Sequence, residues 1–237
     1  MERKIESTDE QKVARKQAAA IRAVDYIENN TAVGLGTGST ARFVAEEIAA
    51  RLQNGALSGI VCVPTSEGTR QLAEELGIPL TTLEEKPRLS VAIDGADEVD
   101  PAFVLIKGAG GALLREKIVA ASADKFVVVI DDSKLVTNLG EQAPVPIEVV
   151  KFGWSTHLEP IKQLGGTPIL RKTPDGSPFV TDEGHYILDS RFDGIANPAA
   201  LEQSLLARPG VVDTGLFLNM ADAVVVGAAD GVEIKQR

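Results

Sequence analysis

The chain has 237 residues, 44% hydrophobic and 24% charged, enough to bury a sizeable core as one mid-sized domain or two small ones. A formal net charge of −10 argues against non-specific binding to nucleic acid or to an anionic membrane. No apolar run is long enough to span a bilayer, segment 1–16 is charged and has no signal-peptide core, and Cys62 is the only cysteine, so the expected location is the cytoplasm.

A helix is expected over 12–28, with Val13, Ala14, Ala18, Ile21, Val24 and Ile27 on one face. A short buried strand, 32–35, leads into Gly36-Thr37-Gly38-Ser39-Thr40 and a helix over 41–54. The pattern then repeats: strand 60–63, Pro64-Thr65-Ser66, helix 67–76, and a short strand at 80–83. Strand 89–93 ends at Asp94-Gly95-Ala96-Asp97-Glu98. Strand 103–106 ends at Lys107-Gly108-Ala109-Gly110-Gly111, followed by a helix over 112–122. Strand 126–130 ends at Asp131-Asp132-Ser133-Lys134. All-apolar strands alternating with helices predict an α/β fold, a mostly parallel sheet covered on both faces. The polar, glycine-rich segments all fall at carboxyl ends of strands, where ligands bind in open α/β sheets. Their convergence in one cleft is therefore expected.

The pattern changes near residue 140. Residues 142–146 read as a linker, followed by strand 147–152, helix 156–164, strand 167–172 and a Thr173-Pro174-Asp175-Gly176-Ser177 turn. Strands at 179–181 and 186–189, then a helix at 198–206, complete an α+β unit with antiparallel hairpins. Segments 211–218 and 223–227 are expected to return to the first sheet.

Several segments carry chemistry. In Gly34-Leu35-Gly36-Thr37-Gly38-Ser39-Thr40 the glycine spacing is neither that of a dinucleotide fingerprint nor that of a Walker loop. Its glycines and hydroxyls at a helix N-terminus suit a phosphate monoester, although a tight turn with Ser and Thr as caps also explains them. Three carboxylates within residues 94–98 suit Mg²⁺, sugar hydroxyls or a solvated turn, and nearby lysines favour the sugar reading. Lys107 at a strand end and Glu116 about one helical turn into the next helix pair a counter-charge with a proton carrier. That pairing suits carbanion or enediolate chemistry, although surface charge is the default for each residue alone. His157 and His185 lack ligand-like spacing and read as surface or loop residues, so no metal site is expected. Cys62, inside an apolar run, reads as a small core hydrophobe.

Taken together, Gly34–Thr40, Asp94–Glu98, Lys107–Lys117 and Asp131–Lys134 resemble the A-type ribose-5-phosphate isomerases in order and spacing. Leu164-Gly165-Gly166, the 180–188 hairpin, Pro209-Gly210-Val211-Val212 and Gly215-Leu216-Phe217 add to the likeness. The resemblance implies interconversion of D-ribose 5-phosphate and D-ribulose 5-phosphate without a metal or other cofactor. It implies Glu116 as the base between C2 and C1, Lys107 at the enediolate oxygen, and Asp94 in ring opening, with Asp97 near the same hydroxyls. Thr37, Gly38, Ser39, Thr40, Gly95, Ala96, Gly108, Ala109, Gly110 and Lys134 would complete the substrate site, with Lys16 as a further phosphate candidate. Ala109 stands where many members are expected to carry glycine, which matters only if that residue needs positive φ. The implied fold is a Rossmann-like catalytic domain (1–140 and 211–237) with a smaller α+β, ferredoxin-like domain (141–210) at the interface of a homodimer or homotetramer. Three rival classes fit less well. A phosphosugar-sensing module would need no Glu116, an acyl-CoA-type transferase, deaminase or lactonase would place its glutamate or histidine elsewhere, and a nucleotide-binding oxidoreductase would space its glycines differently.

Overall fold

Thr8 opens the first helix of the computed structural model, which describes residues 8–237; the first seven residues of the charged N-terminal segment lie outside the described residues. Helix α1 (Asp9–Ala23) begins at a capping box: Thr8 Oγ1 accepts from the Gln11 N–H, and Gln11 Oε1 from the Thr8 N–H. The chain continues through β1 (Ala32–Leu35), α2 (Ser39–Gln53), β2 (Val61–Pro64), α3 (Glu67–Glu75), β3 (Val91–Asp94), β4 (Glu98–Val99), β5 (Leu105–Ile106), α4 (Leu113–Ala121) and β6 (Phe126–Asp131). Next come β7 (Val145–Val149), α5 (Leu158–Gln163), β8 (Thr167–Leu170), β9 (Tyr186–Arg191), α6 (Pro198–Leu206) and β10 (Val211–Thr214). Strands β11 (Leu216–Phe217), β12 (Ala223–Ala228) and β13 (Gly231–Gln236) end the chain.

The main sheet runs β13-β12-β6-β3-β1-β2, parallel throughout except for the antiparallel β12–β13 edge. Its inner strands β12, β6, β3 and β1 are apolar on both faces because both are covered, while edge strand β13 alternates polar and apolar residues. Val33, Leu35, Val127 and Val129 pack with Ala20, Val44 and Ile48 of α1 and α2. Ala92, Phe126, Val128 and Ile130 pack with Val119 and Ala120 of α4 and with Phe217. The α/β expectation holds, and Cys62 is fully buried in this core.

The second sheet is antiparallel, in the order β10-β7-β9-β8. Counted from β7, its βαββαβ succession gives the order 4-1-3-2, which is the ferredoxin-like arrangement. Its entry strand β7 and exit strand β10 are neighbours, with Ile147 opposite Thr214.

Several expectations shift. Residues 211–214 pair with β7 rather than with the first sheet, which the chain rejoins only at Ala223. Val145 and Pro146 belong to β7, not to a linker. The run 103–106 does not enter the parallel sheet. Asp100 Oδ1 accepts from the N–H groups of Ala102 and Val104 and turns the chain there. Only Leu105 and Ile106 remain extended, in a three-stranded antiparallel sheet between β4 and β11. Leu80 makes a single bridge to Cys62 in place of a strand. Segment 179–181 forms no strand, although the Thr181 N–H closes a turn on the His185 carbonyl at 2.9 Å. His157 is buried, 2% exposed, and His185 bonds to buried Glu148 at 2.9 Å, so neither is a free surface residue.

Candidate active site

The carboxyl ends of β1, β3, β5 and β6 open onto one cleft of about 280 Å³. Lys16, Thr37, Gly38, Ser39, Thr40, Gly95, Ala96, Asp97, Lys107, Gly108, Ala109, Gly110, Glu116 and Lys134 line it. The structure thus brings together every residue singled out for the substrate site except Asp94, which sits just beneath the wall and is 3% exposed.

Helix α2 starts at Gly38 with no side-chain cap, so its first N–H groups point into the cleft unpaired by the helix. Lys16 reaches Ser39 Oγ at 3.3 Å, and Lys134 stands across the cleft. Two cations and a bare helix N-terminus form a site for an anionic group. Below it, Thr37 Oγ1 lies 2.7 Å from Thr65 Oγ1, 2.8 Å from Ser66 Oγ and 3.0 Å from Thr69 Oγ1. This hydroxyl knot holds the Gly36–Thr40 turn to the end of β2. Thr65 and Ser66 therefore support the cleft rather than line it.

Lys107 is the hub of the opposite wall. Its ammonium donates to the Gly95 carbonyl at 2.6 Å and lies 3.0 Å from Asp94 Oδ2 and 3.4 Å from Glu116 Oε2. All three side chains are almost wholly buried. Asp94 Oδ1 also accepts from the Thr37 N–H at 3.0 Å and the Gly95 N–H at 2.7 Å. Glu116 accepts from no backbone N–H among the described residues, and its Oε2 is buried without a hydrogen bond. Burial is the main cause that lifts Glu116, to about 8; Lys107 opposes the shift and the Asp94 charge adds to it. Burial likewise raises the Asp94 carboxyl, against the pull of Lys107 and the two N–H groups. For Lys107, burial disfavours the charge, but Asp94 and Glu116 outweigh it and raise the ammonium above the ordinary lysine range. The triad is one held cation between two carboxyls, and the carboxyl with fewer donors, Glu116, is the better proton carrier.

Ala109 is not among the positive-φ residues, so its side chain costs nothing, and its N–H donates to Asp97 Oδ2 at 2.9 Å. Gly36, by contrast, cannot be replaced freely: a Cβ there would stand 2.1 Å from Asp94 Oδ1. Gly36→Ala should displace Asp94, destabilise the fold by about 1–3 kcal/mol and lower kcat together with it. Thermal unfolding and steady-state rates check this, and parental values in both would show that the contact yields without consequence.

An anion-binding helix N-terminus with two lysines, across a cleft from a buried lysine–carboxylate triad on an α/β sheet, suits an enzyme that moves a proton on a small anionic substrate. The family model for ribose 5-phosphate isomerase A (phosphoriboisomerase A) matches residues 61–231. The ribose-5-phosphate isomerase A of Roseiflexus castenholzii is 56% identical over 217 residues, covering 92% of this chain and 93% of the relative. A solved D-ribose-5-phosphate isomerase in complex with phospho-erythronic acid superposes with a TM-score of 0.92 at 40% identity, over 94% of this chain and 98% of the other. The ribose 5-phosphate isomerase of Plasmodium falciparum gives 0.91 at 41% identity, over 95% and 99%. The chain belongs to the ribose 5-phosphate isomerase A family, and is thus an aldose–ketose isomerase.

One residue that touches this site carried no signal in the sequence. Arg171, from the second sheet's β8–β9 connection, donates to the carbonyls of Gly108 and Ala109. Its partners lie 63 and 62 residues away, beyond any local motif.

Proposed function

We propose that the chain interconverts D-ribose 5-phosphate and D-ribulose 5-phosphate by moving one proton between C2 and C1 of the open-chain sugar. The observation that supports this best is the Glu116–Lys107 pair, a proton carrier poised near neutrality 3.4 Å from a permanent cation. Glu116, as carboxylate, takes the C2 proton of the aldose. The C2–H electron pair becomes the C1–C2 double bond of a cis-enediolate, and the carbonyl oxygen gains the charge that Lys107 neutralises. Glu116 then returns the proton to C1 while the C2 hydroxyl gives up its proton to the C1 oxygen and becomes the ketone. A carboxyl near pH 8 suits both halves, since the ideal carrier has a pKa near the working pH.

The phosphate seats on the α2 N-terminus with Ser39, Thr40, Lys16 and Lys134. Asp97, at the cleft wall, serves the sugar hydroxyls. Asp94 serves ring opening and oxygen-to-oxygen proton traffic by way of the Lys107 ammonium 3.0 Å away. We place the reaction in the cytoplasm. We assign the face of the second sheet, where Ile169 is exposed on edge strand β8, to a homodimer or homotetramer contact.

The test is ketose formation from D-ribose 5-phosphate by EDTA-treated protein across pH. Turnover should survive chelation, and kcat/KM should climb with pH and level off above about 8, as Glu116 loses its proton in the free protein. Binding without turnover would make the chain a phosphosugar sensor. A rate that is flat between about pH 6 and about pH 9 would remove Glu116 from the base role.

A further inference from the structure

The loop that carries Lys107 into α4 is gripped from outside the cleft by the second module. The Arg171 guanidinium is fixed first by Asp189, with Nε 2.8 Å from Oδ2 and Nη2 2.5 Å from Oδ1. That bidentate pair leaves Nη1 free to donate to the Gly108 carbonyl at 3.0 Å and the Ala109 carbonyl at 3.1 Å. The Phe179 ring lies 5.7 Å from the guanidinium carbon and closes against Gly111, where a Cβ would stand 2.4 Å from Phe179 Cζ. The turn bearing Phe179 is itself anchored. Thr181 Oγ1 donates to Glu148 at 2.9 Å, the Glu67 N–H donates to Asp182 at 2.8 Å, and Arg115 meets Glu183 at 2.5 Å.

A trans peptide points its carbonyl and its N–H in opposite directions, and the described residues contain no cis bond. The 108–109 peptide is therefore held at both ends, its carbonyl by Arg171 and its N–H by Asp97 at the cleft. The 109–110 peptide has its carbonyl on Arg171, so its N–H, on cleft-lining Gly110, is turned inward. Among the described residues nothing accepts that N–H.

We propose that Arg171 is a positioning residue, fixing these two peptide planes so that the Gly110 N–H meets the substrate oxygen that gains charge. The inference rests on the enediolate reading above. Preorganised backbone donors aimed at developing charge lower the barrier without reorganising. Only arginine serves: its planar fork can hold a carboxylate with two nitrogens and reach two carbonyls with the third, whereas lysine is a single point of donors. The second module thereby completes a wall of the first module's site.

The experiment compares Arg171→Ala, Arg171→Lys and Asp189→Asn with the parent, by steady-state kinetics and by amide hydrogen exchange. Arg171→Ala should lose about 10–100-fold in kcat with KM changed less than about threefold. Arg171→Lys should stay impaired, and added ethylguanidinium should restore part of the rate to Arg171→Ala. Asp189→Asn, which frees the guanidinium without removing it, should show a smaller loss in the same direction. In all three variants the hydrogen-bonded amides of Ala109 and Gly111 should exchange faster than in the parent while those of β6 do not. A kcat within about threefold of the parent, full activity with lysine, or loop amides moving only in step with β6 would overturn the proposal. A parent without turnover would sink the isomerase reading and the role of the Gly110 N–H with it, while the exchange comparison, which needs no substrate, would still decide whether Arg171 fixes the loop.

Discussion

Glu116→Gln should cut kcat for ribose 5-phosphate by about 10³–10⁴-fold while leaving KM within about threefold. Glutamine keeps the shape and loses only the ability to carry a proton. The same substitution should not cost stability at alkaline pH. Burial lifts the carboxyl from 4.5 to about 8, so between these values the folded protein holds a proton that the unfolded chain has released. Its contribution to stability is whole below about 4.5 and is lost as pH rises through about 8. At pH 9 the parent therefore carries a buried anion that glutamine does not, and the variant's Tm there should equal or exceed the parent's. A variant that melts early and loses affinity along with rate would make Glu116 a structural residue.

Lys107→Met should have the second largest effect, of a different kind. It removes the cation that lies 3.0 Å from Asp94 and 3.4 Å from Glu116 and leaves two buried carboxyls facing each other. Breaking one side of such a pair costs about 3–5 kcal/mol. Transition-state charge loses its counter-charge as well, for a further kcat loss of about 10²–10³-fold. Because Lys107 holds the Glu116 pKa down, its removal should push the activity limb to higher pH. The lost stability should return as pH falls and the carboxyls take up protons. Unfolding midpoints from acid to alkaline pH, beside kcat and KM, check this. A rise in KM with kcat intact would make Lys107 a binding residue only.

How much of this was legible beforehand depended on the range of the interaction. The strand–loop–helix units around Gly36–Thr40, Asp94–Glu98 and Lys107–Glu116 are local patterns, and α6 (Pro198–Leu206) and β1 (Ala32–Leu35) begin and end where periodicity puts them. Their gathering at one cleft follows from the parallel sheet. What escaped was set by pairing at a distance. Nothing in Val211-Val212-Asp213-Thr214 says that it pairs with β7 rather than β6, because a short apolar segment fits either sheet. The bend at 103 depends on one carboxylate, Asp100, capping two amides. Strand β13 was readable after all: Val232 and Ile234 alternate with Glu233 and Lys235 just past a tight Ala229–Asp230 turn. Arg171 and the burial of His157 and Glu148 are tertiary facts with no local mark.

The adjacency of β7 and β10 bears on how the chain finds its fold. The partners β6 and β12 must meet across 96 residues, as in the Phe126–Asp222 contact. Everything between them either belongs to the βαββαβ unit or connects to it, and that unit enters and leaves on neighbouring strands. Once it has condensed through its own contacts, the stretch left to close shrinks to the segments 132–144 and 215–222. Shortening the loop roughly fourfold removes about 1 kcal/mol of closure entropy from the pairing of β6 with β12. The inserted unit can thus serve as a clasp: folded ahead of the main sheet, it would bring β6 and β12 within reach of each other.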